Sequence, residues 1–144
     1  MKIQLKKLRP DAVVPTAGSA FAAGYDLCAC IDAPVEIAPH TAALIGTGLA
    51  IAIPEGYFGA VFARSGLSTK QGLRPANCVG VCDSDYRGEY TTPLYNDSDV
   101  PRIVHPGDRI AQLIVLPFLP AEFEEVDMLP ETERGTGGFG STGI

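Results

Sequence analysis

Seven of the eleven basic residues are arginine, and four of these stand beside glycine, serine or aspartate: Arg64 in ARSGLS, Arg87 in DYRGE, Arg109 in GDRIAQ and Arg134 in ERGTGG. A planar guanidinium next to small residues can converge with neighbouring backbone N–H groups on one oxyanion. A structural ion pair explains any one of them about as well. Several on a chain of net charge −6 point to a polyphosphate met by local positive charge. The same net charge disfavours non-specific binding to nucleic acid or an anionic membrane. No P-loop sequence is present, and no Gly-x-Gly-x-x-Gly opens a helix, so neither of those phosphate-binding mechanisms applies.

The carboxylates complement the arginines. GVCDSDYRGE holds Asp83 and Asp85 two residues apart, on one face if the segment is extended. Asp, Ser and Gly are also ordinary turn residues. The apolar VGVC before them predicts that Asp83 lies at the buried end of a strand, where a carboxylate can be poised as a general base. Asp26, in AAGYDL, reads by itself as a turn cap. The four cysteines at 28, 30, 78 and 82 lack the two-residue spacing of a zinc knuckle. Cys28 with Cys30, and Cys78 with Cys82, share a face of an extended strand, which predicts four small core residues. His40 and His105 flank prolines in turn-like APHTA and VHPGD, an unpromising place for the base a nucleophilic thiol needs.

The C-terminal ETERGTGGFGSTGI poses a different problem. Five of the nine residues from 135 to 143 are glycine, too costly in backbone entropy to build a core. A tail of that composition is disordered by default. The Arg, Phe, Ser and Thr spaced along it predict instead a lid that closes over a ligand.

Elements that could position these residues are short. Sixteen glycines and twelve prolines punctuate the whole chain, and between them lie strand-length runs such as YDLCAC, TAALIGTGLAIAIP, GYFGAVFAR, GEYTTPLYN and RIAQLIVLPF. Only SGLSTKQG suits a turn or two of helix, stopped by Gly72. The pattern predicts an all-β, single-domain, distorted barrel or jelly roll. Its expected limits are residues 1–133, with 134–144 as a glycine-rich arm joined by the acidic connector EFEEVDMLPETE. No apolar run reaches eighteen residues, and MKIQLKKLRP carries lysines where a signal peptide has its apolar stretch, so a cytoplasmic protein is expected.

Five segments, in order, resemble the five motifs of the trimeric all-β deoxyuridine triphosphatases: AAGYDL (22–27), ARSGLS (63–68), NCVGVCDSDYRGE (77–89), PGDRIAQLI (106–114) and RGTGGFGSTG (134–143). The resemblance spans nearly the whole chain. It implies a homotrimer with sites at subunit boundaries, and hydrolysis of dUTP to dUMP and pyrophosphate by magnesium-assisted water attack on the α-phosphorus. Such a reaction keeps uracil out of DNA and supplies dUMP for dTMP synthesis. Carried over residue by residue, Asp83 resembles the general base. Arg64, Ser65 and Gly66 resemble the loop that binds the α- and β-phosphates. Asp26 and Gln112 resemble groups that hold the waters of Mg²⁺, with no direct protein ligand to the ion.

The resemblance also assigns the nucleoside. Asn77 and the backbone of Val81, Cys82 and Asp83 look like the hairpin that reads uracil, with a looser match near Thr91. Tyr86 resembles the aromatic that packs under deoxyribose, where a ribose 2′-hydroxyl would clash. In the arm, Arg134 resembles the fork on the γ-phosphate, Phe139 the ring stacked on uracil, and Gly140, Ser141 and Thr142 the groups that wrap the remaining oxygens. Ser68 and Cys82 depart from the alanine and isoleucine more usual there. Three alternatives remain: dCTP deamination on the same fold, a catalytically silent nucleotide-binding trimer, and a plain structural trimer. Gly66 after Ser65 and the complete arm disfavour the first, Asp83 the second, and the clustered arginines the third.

Overall fold

A computed structural model describes residues 1–138. The chain begins with β1 (Gln4–Lys7), β2 (Thr16–Ala17), β3 (Tyr25–Cys28), β4 (Val35–Ile37), β5 (Ala42–Gly46), β6 (Leu49–Ala52) and β7 (Tyr57–Phe62). After the one helix of the described residues, α1 (Ser65–Gln71), come β8 (Leu73–Pro75), β9 (Val79–Cys82), β10 (Thr91–Asn96), β11 (Arg102–Val104) and β12 (Arg109–Pro117). The all-β class expected from the sequence is what the chain adopts.

Every strand pair is antiparallel. A five-stranded sheet runs β2–β3–β12–β7–β9, a three-stranded one β5–β10–β8, and β11–β4 and β1–β6 form two-stranded ribbons. Two apolar clusters fill the interior. One joins Leu27, Leu49, Ile51, Val61 and Leu113, the other Ile37, Ile45, Leu73, Leu94 and Ile110. Alternation decides which side chains enter. In β10 the residues Thr92, Leu94 and Asn96 are buried while their neighbours are not, the period of two that a half-covered strand requires.

The apolar stretch 42–53 folds as two strands because the chain turns at Thr47–Gly48. Gly48 has φ of 67°, and a Cβ there would sit 2.9 Å from that of Ala12. Only glycine fits that conformation in that space. The helix lies where SGLSTKQG places it, and the N–H of Gly72, in the left-handed region, returns to the Ser68 carbonyl at 3.0 Å.

Three strands escape the sequence pattern: β2, β8 and β11 are two or three residues long, and their partners define them. The cysteines need a correction. Cys30 is buried, Cys28 and Cys82 are half-buried, and Cys78 is exposed. Cys78 precedes β9 in a turn, with φ of 62° and its N–H on the Pro75 carbonyl, so it does not share a strand face with Cys82. Residues 118–133 carry neither helix nor strand and are exposed. Among the described residues no helix is long and apolar enough to cross a membrane.

Candidate functional site

The third motif builds one cleft. Strand β9 pairs with β7 in the register Phe62↔Val79 to Gly59↔Cys82, and the chain then turns through Asp83–Tyr86, closed by the Tyr86 N–H on the Asp83 carbonyl at 3.2 Å. The return through Glu89 and Tyr90 leads into β10. Between the two limbs lies a cleft of about 220 Å³ whose lining includes Asn77, Val81, Cys82, Asp83, Tyr86 and Thr91. The third-motif residues to which the resemblance gives base and sugar reading therefore line one cleft, together with Thr91.

Asp83 departs from expectation there. It is exposed, not buried at a strand end. The reason is that β9 is the last strand of its sheet and turns Val79 and Val81 outward, at 37% and 65% exposure, so its apolar residues do not mark the interior. Burial does act on the opposite face of the strand. It pushes the Cys82 thiol above its ordinary pKa, and it does the same to the phenol of Tyr90. Both groups stay neutral at pH 7.

The first, second and fourth motifs build a second cluster. Strands β3 and β12 pair with Asp26 opposite Gln112, and Gln112 is also opposite Phe62 on β7. This brings Asp26 under the loop after β7. Its carboxylate accepts from Arg64 Nε at 2.7 Å through one oxygen and from an Arg109 Nη at 3.2 Å through the other. Gln112 Nε2 donates to the Ala63 carbonyl at 2.9 Å and so fixes the residue before Arg64. Arg64, Gly66, Asp108 and Arg109 line a cleft of about 260 Å³. Two arginines share the Asp26 carboxylate, with Asp108 also in the lining, and the first N–H groups of α1 have no intrahelical acceptor. The arrangement suits an anion. The two clefts share no lining residue.

Arg109 is the functional candidate that sequence reading singled out only as one basic residue among several; its pairing with Asp26 follows from the β3–β12 register, which a single sequence does not display. Arg134 is exposed, with Nε on its own Gly137 carbonyl at 2.8 Å, away from both clusters' hydrogen bonds. Phe139, Gly140, Ser141 and Thr142 lie outside the described residues. Among the described residues no three His, Cys, Asp or Glu side chains gather as a metal site, and both oxygens of Asp26 already face arginines. That donor set does not fit a bare divalent ion held by protein alone.

Comparison with known proteins points to one family. The dUTPase family model matches residues 11–143. A deoxyuridine 5'-triphosphate nucleotidohydrolase of Wolinella succinogenes is 50% identical over 143 residues, which is 99% of this chain and 95% of the relative. Another protein of the same name, from a Hydrogenobaculum species, is 45% identical and covers 100% and 99% of the two chains. Among solved structures, a dUTPase of Staphylococcus bacteriophage 80alpha with dUPNHPP superposes with a TM-score of 0.90 at 30% identity, over 99% of both chains.

Proposed function

The chain belongs to the dUTPase family and hydrolyses dUTP to dUMP and pyrophosphate; on that premise we propose how its residues divide the work. The cleft between β9 and the return to β10 takes the nucleoside. The exposed backbone of β9 offers uracil a strand-like hydrogen-bond pattern, in which cytosine presents its donors and acceptors reversed and the thymine methyl finds no room. Asn77, Val81 and Cys82 frame it, and Tyr86 lies under the sugar. Arg64, Ser65 and Gly66 take the α- and β-phosphates, with Arg109 adding charge beside them.

Asp83 is the general base. It stands at the mouth of the nucleoside cleft, where it can orient a water toward the α-phosphorus and take its proton. Asp26 holds Arg64 in place, and with Gln112 it can also accept hydrogen bonds from waters around a cation. A hydrated Mg²⁺ carried by the triphosphate fits these residues; when bound it supplies neutralisation of phosphate charge. Arg134, Phe139, Gly140, Ser141 and Thr142, from the arm 134–144 beyond the barrel 1–133, close on the γ-phosphate and the base. The cytoplasm is the compartment this reading assigns.

One observation supports a shared site above others: nucleoside and phosphate residues line two separate clefts of one chain. A homotrimer that apposes the first cleft of one subunit to the second of its neighbour would complete three sites. Purified protein with Mg²⁺ and, in turn, dUTP, dCTP, dTTP and UTP, followed by chromatography, tests the activity. Formation of dUMP and pyrophosphate from dUTP alone is the expected result. Conversion of dCTP to dUTP would assign the protein to the deaminases instead.

A further inference from the structure

Resting on the assignment of Tyr86 to the deoxyribose face, we propose that Thr47 is a positioning residue that sets the discrimination between dUTP and UTP. Thr47 lies outside all five motifs, in the β5–β6 turn, and is fully buried. Its hydroxyl donates to the Tyr90 carbonyl at 2.6 Å, across 43 residues of sequence. The same turn makes two further bonds to that segment, one to its backbone and one to a side chain. The Tyr90 N–H donates to the Leu49 carbonyl at 2.8 Å, and the Gly48 N–H donates to Glu89 Oε1 at 2.7 Å. Three hydrogen bonds from Thr47–Gly48–Leu49 thus fix Glu89 and Tyr90.

Those two residues hold Tyr86. Its hydroxyl donates to the Glu89 carbonyl at 2.9 Å, and its ring lies 6.0 Å from that of Tyr90 with the planes at 46°. The chain folds back so tightly that a Cβ at Gly88 would collide with the Tyr86 hydroxyl. Tyr90 is 2% exposed and Tyr86 43% exposed, so one ring is the fixed support and the other faces the cleft. The Tyr90 hydroxyl is not what anchors the support: it is buried without a hydrogen-bond partner among the described residues, near the Cys82 thiol.

A steric filter rejects a 2′-hydroxyl only if its wall does not yield. The hydroxyl of Thr47 has no water to compete for it, and without it the Tyr90 carbonyl is left buried and unpaired. The Glu89–Tyr90 backbone then relaxes, and Tyr86 can tilt away from the sugar. Uridine nucleotides gain from that tilt, whereas deoxyuridine nucleotides lose little.

The test measures kcat and KM for dUTP and UTP separately on the full-length protein, the isosteric Thr47→Val, the hydroxyl-retaining Thr47→Ser, Tyr86→Ala, and the Thr47→Val/Tyr86→Ala double variant. Thr47→Val is expected to raise the kcat/KM of UTP relative to dUTP by roughly tenfold, the scale of one lost steric contact. Thr47→Ser should restore discrimination, and the double variant should lose no more than Tyr86→Ala alone. Should Thr47→Val fail to fold, Glu89→Ala, which removes the bond to Gly48, carries the same readout. Equal losses for both substrates, or unchanged discrimination in a folded variant, would overturn the role of Thr47 provided that Tyr86→Ala lowers discrimination. Unchanged discrimination in Tyr86→Ala would instead overturn the assignment of Tyr86.

Discussion

Asp83→Asn and Asp26→Asn are the same chemical change with opposite expected outcomes. Asp83 is exposed, and its carboxylate makes no ion pair among the described residues. Removing its charge is a surface substitution, within about 0.5 kcal/mol in stability. At about 2–4 °C per kcal/mol for a domain of this size, the melting temperature should move by no more than about 2 °C. Turnover should fall by about 10²–10⁴, equivalent to roughly 3–5 kcal/mol on the barrier. Asp26 is 19% exposed and bonded to Arg64, itself 26% exposed, at 2.7 Å. Breaking that charge-assisted bond costs about 1.5–3 kcal/mol. The Arg109 pair, at 3.2 Å with that arginine 59% exposed, is screened by solvent and adds about 0–1 kcal/mol.

Asp26→Asn should therefore lower the melting temperature by roughly 3–16 °C. It should also raise KM, because two arginines then repel across the phosphate cleft. The assay combines calorimetry at one fixed protein concentration, as the proposed trimer requires, with chromatographic measurement of dUMP release over a range of dUTP concentrations up to saturation. Binding of dUPNHPP shows whether the Asp83→Asn site still forms. Turnover within tenfold of the parent in Asp83→Asn would refute the general base. A melting temperature unmoved in Asp26→Asn would refute the two-arginine account of that carboxylate.

Deleting residues 134–144 should leave assembly intact, by light scattering, and nearly abolish dUTP hydrolysis. Mixing that truncated protein with full-length Asp83→Asn should restore activity after subunit exchange; confirmed mixed trimers that stay inactive would show that the arm serves its own subunit. Thermal stability should fall as pH rises above about 9: burial raises the Cys28, Cys30 and Cys82 thiols above 9.0 and Tyr90 above 10.0, so the unfolded chain releases those protons first. Below that range these groups contribute their full stabilisation, and Cys82→Ala should flatten the decline in melting scans from pH 7 to 10.5. Leu94→Ala, at a fully buried position in the second core cluster, should cost about 2–5 kcal/mol by urea unfolding.

How much of this was legible in sequence depended on range. The helix at Ser65–Gln71 and its stop at Gly72 are local, and so is the turn Asp83–Tyr86, so residue types alone foretold them. The joining of Asp26 to Arg64 and Arg109 was not legible, because it depends on β3 and β7 both pairing with β12, across 38 and 83 residues of chain. Thr47 carried no signal at all: a threonine before a glycine in an apolar run reads as a break, and its hydroxyl finds its purpose only when Tyr90 is brought against it.

The misplaced burial of Asp83 follows from what apolar alternation can report. It says that one face of a strand is covered, without saying by what. VGVC reads as an interior strand, yet β9 ends its sheet with Val79 and Val81 facing outward. An edge strand that exposes valines and unpaired backbone groups is a liability unless something covers it. On the proposed reading the cover is the bound nucleotide together with a neighbouring subunit. On that reading Asp83 loses water only when the site is assembled and filled. The carboxylate proposed as the base is thus open to solvent between turnovers and covered during each one.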